Sequence, residues 1–149
     1  MIWIISGTGR KVGKTTLALK LLSILPNSIY AKLGHGKKKF HKPPALFHTY
    51  RSLLEFIQVH QRFKTHLIIE ANRLLPKAFK PLSIFIDEKF SLRSPRRGSK
   101  KLKDNAQIVI SKTASVKFWW LFLYKTLGSL DLAKAVSLAL FDQKLRVRG

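Results

Sequence analysis

Gly13-Lys14-Thr15 is the stretch of this chain whose residue types can do the most specific chemistry. A glycine lets oxygen atoms approach the backbone, a lysine adds charge against outer phosphates, and a threonine hydroxyl opening a helix can ligate Mg²⁺. The usual phosphate-loop pattern, Gly-x-x-x-x-Gly-Lys-Ser/Thr, would set its first glycine at position 8, where the chain has Thr8. Gly7 and Gly9 flank that position, so the turn keeps two points of backbone freedom in a form one residue longer. The residues expected to hold phosphates are Gly9, Arg10, Lys11, Val12, Gly13, Lys14, Thr15 and Thr16, with Arg10 and Lys11 adding charge beside them or standing solvated. The ligand this implies is a nucleoside triphosphate, ATP or GTP, with Mg²⁺.

Further candidates sit at the ends of apolar runs. Glu70 closes "HLIIE" and is one of only 7 acids, placed where a carboxylate can hold Mg²⁺ through water or orient a nucleophile. Lys14 and Glu70 are therefore the catalytic candidates, and Thr15, Glu70 and Asp87 the metal candidates; a surface turn accounts for Asp87 and Glu88 equally well. Lys32 ends "SIYAK", at an edge where ligands of parallel sheets bind, and is a substrate-site candidate or a solvated strand-end lysine. Lys112 ends "AQIVISK" and can pack its stem along a base. The run Ser111-Lys112-Thr113-Ala114 lacks the acid with which GTP-selective proteins read guanine, so ATP and GTP both stay open. The histidines form no His-x-x-x-His pair, and no zinc site is expected.

The elements that must position these groups read as an alternation. "MIWII" is a strand of the kind buried on both faces, and a helix from about Lys14 carries Leu17, Leu21, Leu22 and Leu25 before Pro26. "SIYAKLG", "HLIIEAN", "PLSIFID" and "AQIVISK" are four more strands. Phe47, Tyr50, Leu54 and Ile57 share a face of a helix that begins after Pro43-Pro44. Two closing helices follow, separated by Gly128. The fold expected is a three-layer α/β/α phosphate-loop NTPase with a mainly parallel sheet, one domain over 1–149.

Composition narrows the setting. The chain has 149 residues, no cysteine, and 29 Lys and Arg against 7 Asp and Glu, a net charge of +22. Disulfides and thiolate metal sites are excluded, no signal peptide or transmembrane span is read, and a cytoplasmic protein is expected. Seven basic residues and no acid between Lys89 and Lys103, read as an exposed loop, suit an acidic protein or the backbone of a nucleic acid. Trp119 and Trp120, with Phe118 and Leu121 to Leu123, make a helix apolar nearly all round. Homodimer pairing, insertion at an anionic membrane surface, and packing by the last helix are its three accounts.

"GTGRKVGKTT" resembles the "GTDTxVGKT" loop of dethiobiotin synthetases, matching at Gly7, Thr8, Val12, Gly13, Lys14 and Thr15 and departing at Gly9 and Arg10. The chain as a whole resembles the MobB-like adaptor family of molybdopterin-guanine dinucleotide biosynthesis, through "SIYAKLGHGKKK", "HLIIEAN" and "AQIVISK". Ala71 stands where that family has a glycine. The resemblance implies GTP or ATP binding in an adaptor-like role in cofactor biosynthesis, and it brings Lys32 toward phosphates or an acidic substrate and His35, just beyond it, toward a substrate. Hydrolysis is expected to be slow because the sequence names no clear water-positioning residue. A small-molecule kinase or ligase like dethiobiotin synthetase, and a nucleic-acid-binding ATPase, are the alternatives.

Overall fold

All six residues of the first strand, β1 (Ile2–Gly7), are buried. Burial on both faces is the environment that β-branched runs in parallel sheets require. The computed structural model describes residues 1–34, 44–88, 97–114 and 116–147, and the side chains of 116–118 are not considered. Around β1 lie β2 (Ser28–Leu33), β3 (Ala45–Phe47), β4 (His66–Glu70), β5 (Leu82–Ile86) and β6 (Ile108–Ile110), all parallel, in the order β3-β2-β4-β1-β5-β6. The helices are α1 (Lys14–Ile24), α2 (Tyr50–His60), α3 (Ser99–Asp104), α4 (Val116–Leu127) and α5 (Leu130–Arg146). The expected α/β class with a parallel sheet between helical layers is the one observed.

The alternation of β1 sorts the core into two layers. Trp3 and Ile5 point to the side of α1, α4 and α5, where they join Leu17, Leu21, Val136 and Leu140. Ile2 and Ile4 point the other way, onto Leu53 and Ile57 of α2. Successive strand residues face opposite sides, so a two-sided sheet needs an apolar residue at every position.

Two elements differ from the sequence expectation. Phe47 belongs to β3, a three-residue edge strand paired with β2 through Lys32↔Leu46, and α2 begins only at Tyr50, after Thr49 accepts a hydrogen bond from Ser52 N at 3.2 Å. Phe47 still packs against the α2 layer, which explains why its spacing from Tyr50 looked helical. The basic segment read as a loop is helical at Ser99–Asp104, while 89–96 lies outside the described residues. In α4, Trp119 and Leu123 are buried in the core, whereas Trp120, Leu121 and Tyr124 are exposed. Among the described residues no helix is long and apolar enough to cross a membrane.

Candidate functional site

The chain leaves β1 at a point where the topology reverses: β2, β3 and β4 lie to one side of β1, and β5 and β6 to the other. Open α/β sheets bind ligands at such a switch point, outside the carboxyl ends of the strands. The β1–α1 loop occupies that position.

Two glycines give the loop its shape. A Cβ on Gly7 would lie 2.7 Å from Val12 Cγ2 and 2.9 Å from Ile86 O, so the loop closes on its own start. Gly13, directly before α1, has φ +93°, a conformation side chains rarely adopt. The loop is tied down from several directions. Gly7 N donates to Asn72 Oδ1 at 3.2 Å, Thr8 N to Ile86 O at 3.1 Å, and Glu88 N to Thr8 Oγ1 at 3.2 Å. From the far end of the chain, Gln143 Nε2 donates to Val12 O at 3.1 Å, and Lys14 Nζ donates to Gly9 O across the turn.

Among the described residues no side chain caps the start of α1, and its first turn holds no acid. Such a helix end presents backbone donors and the positive end of the helix dipole. It opens onto a cavity of about 620 Å³ lined by Arg10, Lys11, Lys14, Thr15 and Thr16 on one side and by Lys32, Glu70 and Asn72 on the other. Volumes of this order are those of small-molecule sites.

Sheet register assembles the far wall. Lys32 pairs with Glu70 and Tyr30 with Ile68 on adjacent strands, so Tyr30, Lys32 and Glu70 share the sheet face covered by α1. Glu70 is buried and its carboxylate takes three contacts. Oε2 accepts from Thr15 Oγ1 at 2.9 Å and from the Tyr30 phenol at 2.5 Å, while Oε1 pairs with Lys32 Nζ at 3.1 Å. Burial, aided by the carboxylate beside it, pushes the Tyr30 phenol above its ordinary range, so it stays a proton donor.

No family model, no curated protein and no solved structure matches this chain.

The structure thus brings Thr15, Lys32 and Glu70 into contact and lines one cavity with them and with Arg10, Lys11, Gly13, Lys14 and Thr16. Gly9 contributes a carbonyl to Lys14, and Val12 is buried beneath the loop. Asp87 is not among the residues lining that cavity; its Oδ2 takes Lys103 Nζ at 2.6 Å, an ion pair that sequence could not anticipate because α3 was read as loop. Lys112 is exposed at the end of β6 and lines neither this cavity nor the smaller one beside the loop. His35 lies outside the described residues. Among the described residues no cluster of histidines and acids suits a transition metal.

Three residues at the site were not anticipated. Tyr30 and Asn72 stand in the sequence only as members of the strand runs "SIYAKLG" and "HLIIEAN". Gln143 did leave a signal, since it continues the apolar face of Val136, Ala139 and Leu140 at helical spacing and is itself buried. A polar residue on such a face needs a partner, and its partner is the loop.

Proposed function

We propose that the chain is a cytoplasmic phosphate-loop protein that binds a nucleoside triphosphate with Mg²⁺ and hydrolyses it slowly, in an adaptor-like role of the MobB kind. The observation that carries this reading is the Thr15–Glu70 contact at the mouth of α1. The hydroxyl spends its proton on the carboxylate, which leaves its lone pairs for a cation, beside a helix end suited to anions. A structural ion cluster would explain the Lys32–Glu70 pair, but not why the threonine opens an uncapped helix over a basic cavity.

The donor set suits Mg²⁺, a hard cation that takes one or two protein oxygens and fills its other positions with water and phosphate. Thr15 would hold it directly and Glu70 directly or through water, and the ion would supply positive charge against that of the phosphates. Lys14, released from Gly9 O, reaches the outer phosphates, and the backbone N–H groups of 13–16 meet the inner ones. Thr16 also lines a second cavity of about 180 Å³ with Glu88, Gln143 and Arg146, which gives the nucleoside a direction to extend. Glu70 is held by three donors and can orient metal-bound water, yet none of the described residues is poised as a dedicated water-positioning group. Slow turnover follows from that.

One feature favours a transferase as the second reading. The larger cavity runs past the loop to Leu33, Gly34 and Asn72, room beyond a triphosphate in which Lys32 would face an acidic acceptor.

Thermal unfolding with ATP, GTP and their diphosphates, with and without Mg²⁺, tests the main reading. A triphosphate at about 100 times its Kd should stabilise the native chain by roughly 2.7 kcal/mol, and Lys14→Ala should abolish the shift. No shift with any nucleotide, or an undiminished one in Lys14→Ala, refutes it.

A further inference from the structure

The ammonium of Lys32 stands 3.1 Å from Glu70 Oε1 and 3.4 Å from Thr15 Oγ1. These are the two side chains to which the reading above gives the metal, and the inference rests on that reading. We propose that Lys32 is a built-in competitor of the divalent cation: it keeps free metal out and yields its place only when the metal arrives with a polyphosphate.

The competition follows from what each atom has to offer. Register pairing of Lys32 with Glu70 forces the two side chains to rise together from neighbouring strands. Thr15 Oγ1 gives its proton to Glu70 and takes one from Lys32, so the ammonium uses the lone-pair density that a metal would need. A cation bound to the same oxygen at about 2.1 Å would stand beside a positive charge in a recess screened less than bulk water. Among the described residues the surroundings add positive charge, because Arg10, Lys11, Lys14 and Lys32 line this cavity with Glu70 as the one carboxylate.

A triphosphate reverses the balance. Its terminal oxygens bring several negative charges to the same cavity, and the Lys32 side chain, 30 % exposed, has a free path to them. The ammonium then exchanges Thr15 and Glu70 for phosphate, and the vacated oxygens take the metal. Lys32 in this account couples metal to nucleotide, and it is a positioning residue for the metal until it touches phosphate.

A purely structural ion pair predicts the opposite response to mutation, since a buried carboxylate stripped of its partner distorts the site and weakens all binding. Mn²⁺ binding to the full chain, followed by EPR of the free ion without nucleotide, separates the two. The wild-type chain should bind Mn²⁺ weakly, and Lys32→Gln and Lys32→Met should each bind it roughly tenfold more tightly, the worth of one charge-assisted contact. Lys32→Arg, which keeps the charge, should stay near wild type, and adding Glu70→Gln to Lys32→Gln should erase the gain. Unchanged or weaker Mn²⁺ binding in both neutral variants overturns the proposal. That outcome is distinct from failure of the nucleotide reading, which shows instead as absence of a triphosphate-induced thermal shift in the wild-type chain.

Discussion

Replacing Gly13 with alanine tests whether the loop has the shape described, because two separate penalties meet at one atom. The residue sits at φ +93°, where a side chain costs about 1–2 kcal/mol. The added Cβ would also lie 2.2 Å from Gln143 Nε2 and 3.0 Å from Gln143 Cδ, so the amide must move and lose its bond to Val12 O. That bond is buried, and its loss adds about 1–2 kcal/mol. The sum, about 2–4 kcal/mol, corresponds to a fall in Tm of roughly 5–15 °C for a chain of this size.

The two penalties can be pulled apart with a double-mutant cycle read by urea unfolding. Gln143→Ala alone should cost about 1–3 kcal/mol, because Val12 O loses its donor and a space opens behind the loop. In the double variant the new methyl enters that space and only the backbone strain at position 13 remains to be added. The double variant should therefore be more stable than the sum of the singles predicts by about 1–2 kcal/mol. Additivity within about 0.5 kcal/mol would mean that Gly13 and Gln143 do not touch, and the description of the loop would be wrong.

Other expectations concern the walls of the site. Tyr30→Phe removes one of the donors of the buried Glu70 and should destabilise the chain by about 1.5–3 kcal/mol in denaturant unfolding, while a change within error would show that the phenol is dispensable. Glu70→Gln should erase the difference between triphosphate shifts measured with Mg²⁺ and with EDTA, and a persisting Mg²⁺ dependence would move the metal elsewhere. His66 accepts a hydrogen bond from Trp3 Nε1 at 3.1 Å, and burial, followed by the nearby N-terminal ammonium, holds its imidazole below the ordinary value of 6.5. The folded chain then binds fewer protons than the unfolded chain between that lowered value and 6.5, so stability rises with pH across the window and is lost as pH falls through it. Unfolding midpoints followed by tryptophan fluorescence should show this slope in the wild type and a flatter one in His66→Gln; parallel profiles would exclude His66 as its source.

The sequence was legible where one residue type has one strong reason for its place. The run before Gly7, the glycine at 13 and the leucines after Thr15 fixed a strand, a turn and a helix, and strand ends fixed the level of Lys32 and Glu70. It was illegible where a contact depends on register or on distant chain. Tyr30 could not be told from core packing without knowing that β2 lies beside β4, and the pairing of Asp87 with Lys103 could not be read without the helix that carries the lysine. The three residues of β3 are too few to show a period of their own.

Gln143 lies 131 residues beyond Val12, the loop residue whose carbonyl it engages. The turn and the side chain that props it are thus joined through the tertiary fold and not through neighbouring sequence. The turn therefore borrows its stiffness from the docking of α5 on α1, and loosening that docking should slacken the turn without altering any of its own residues.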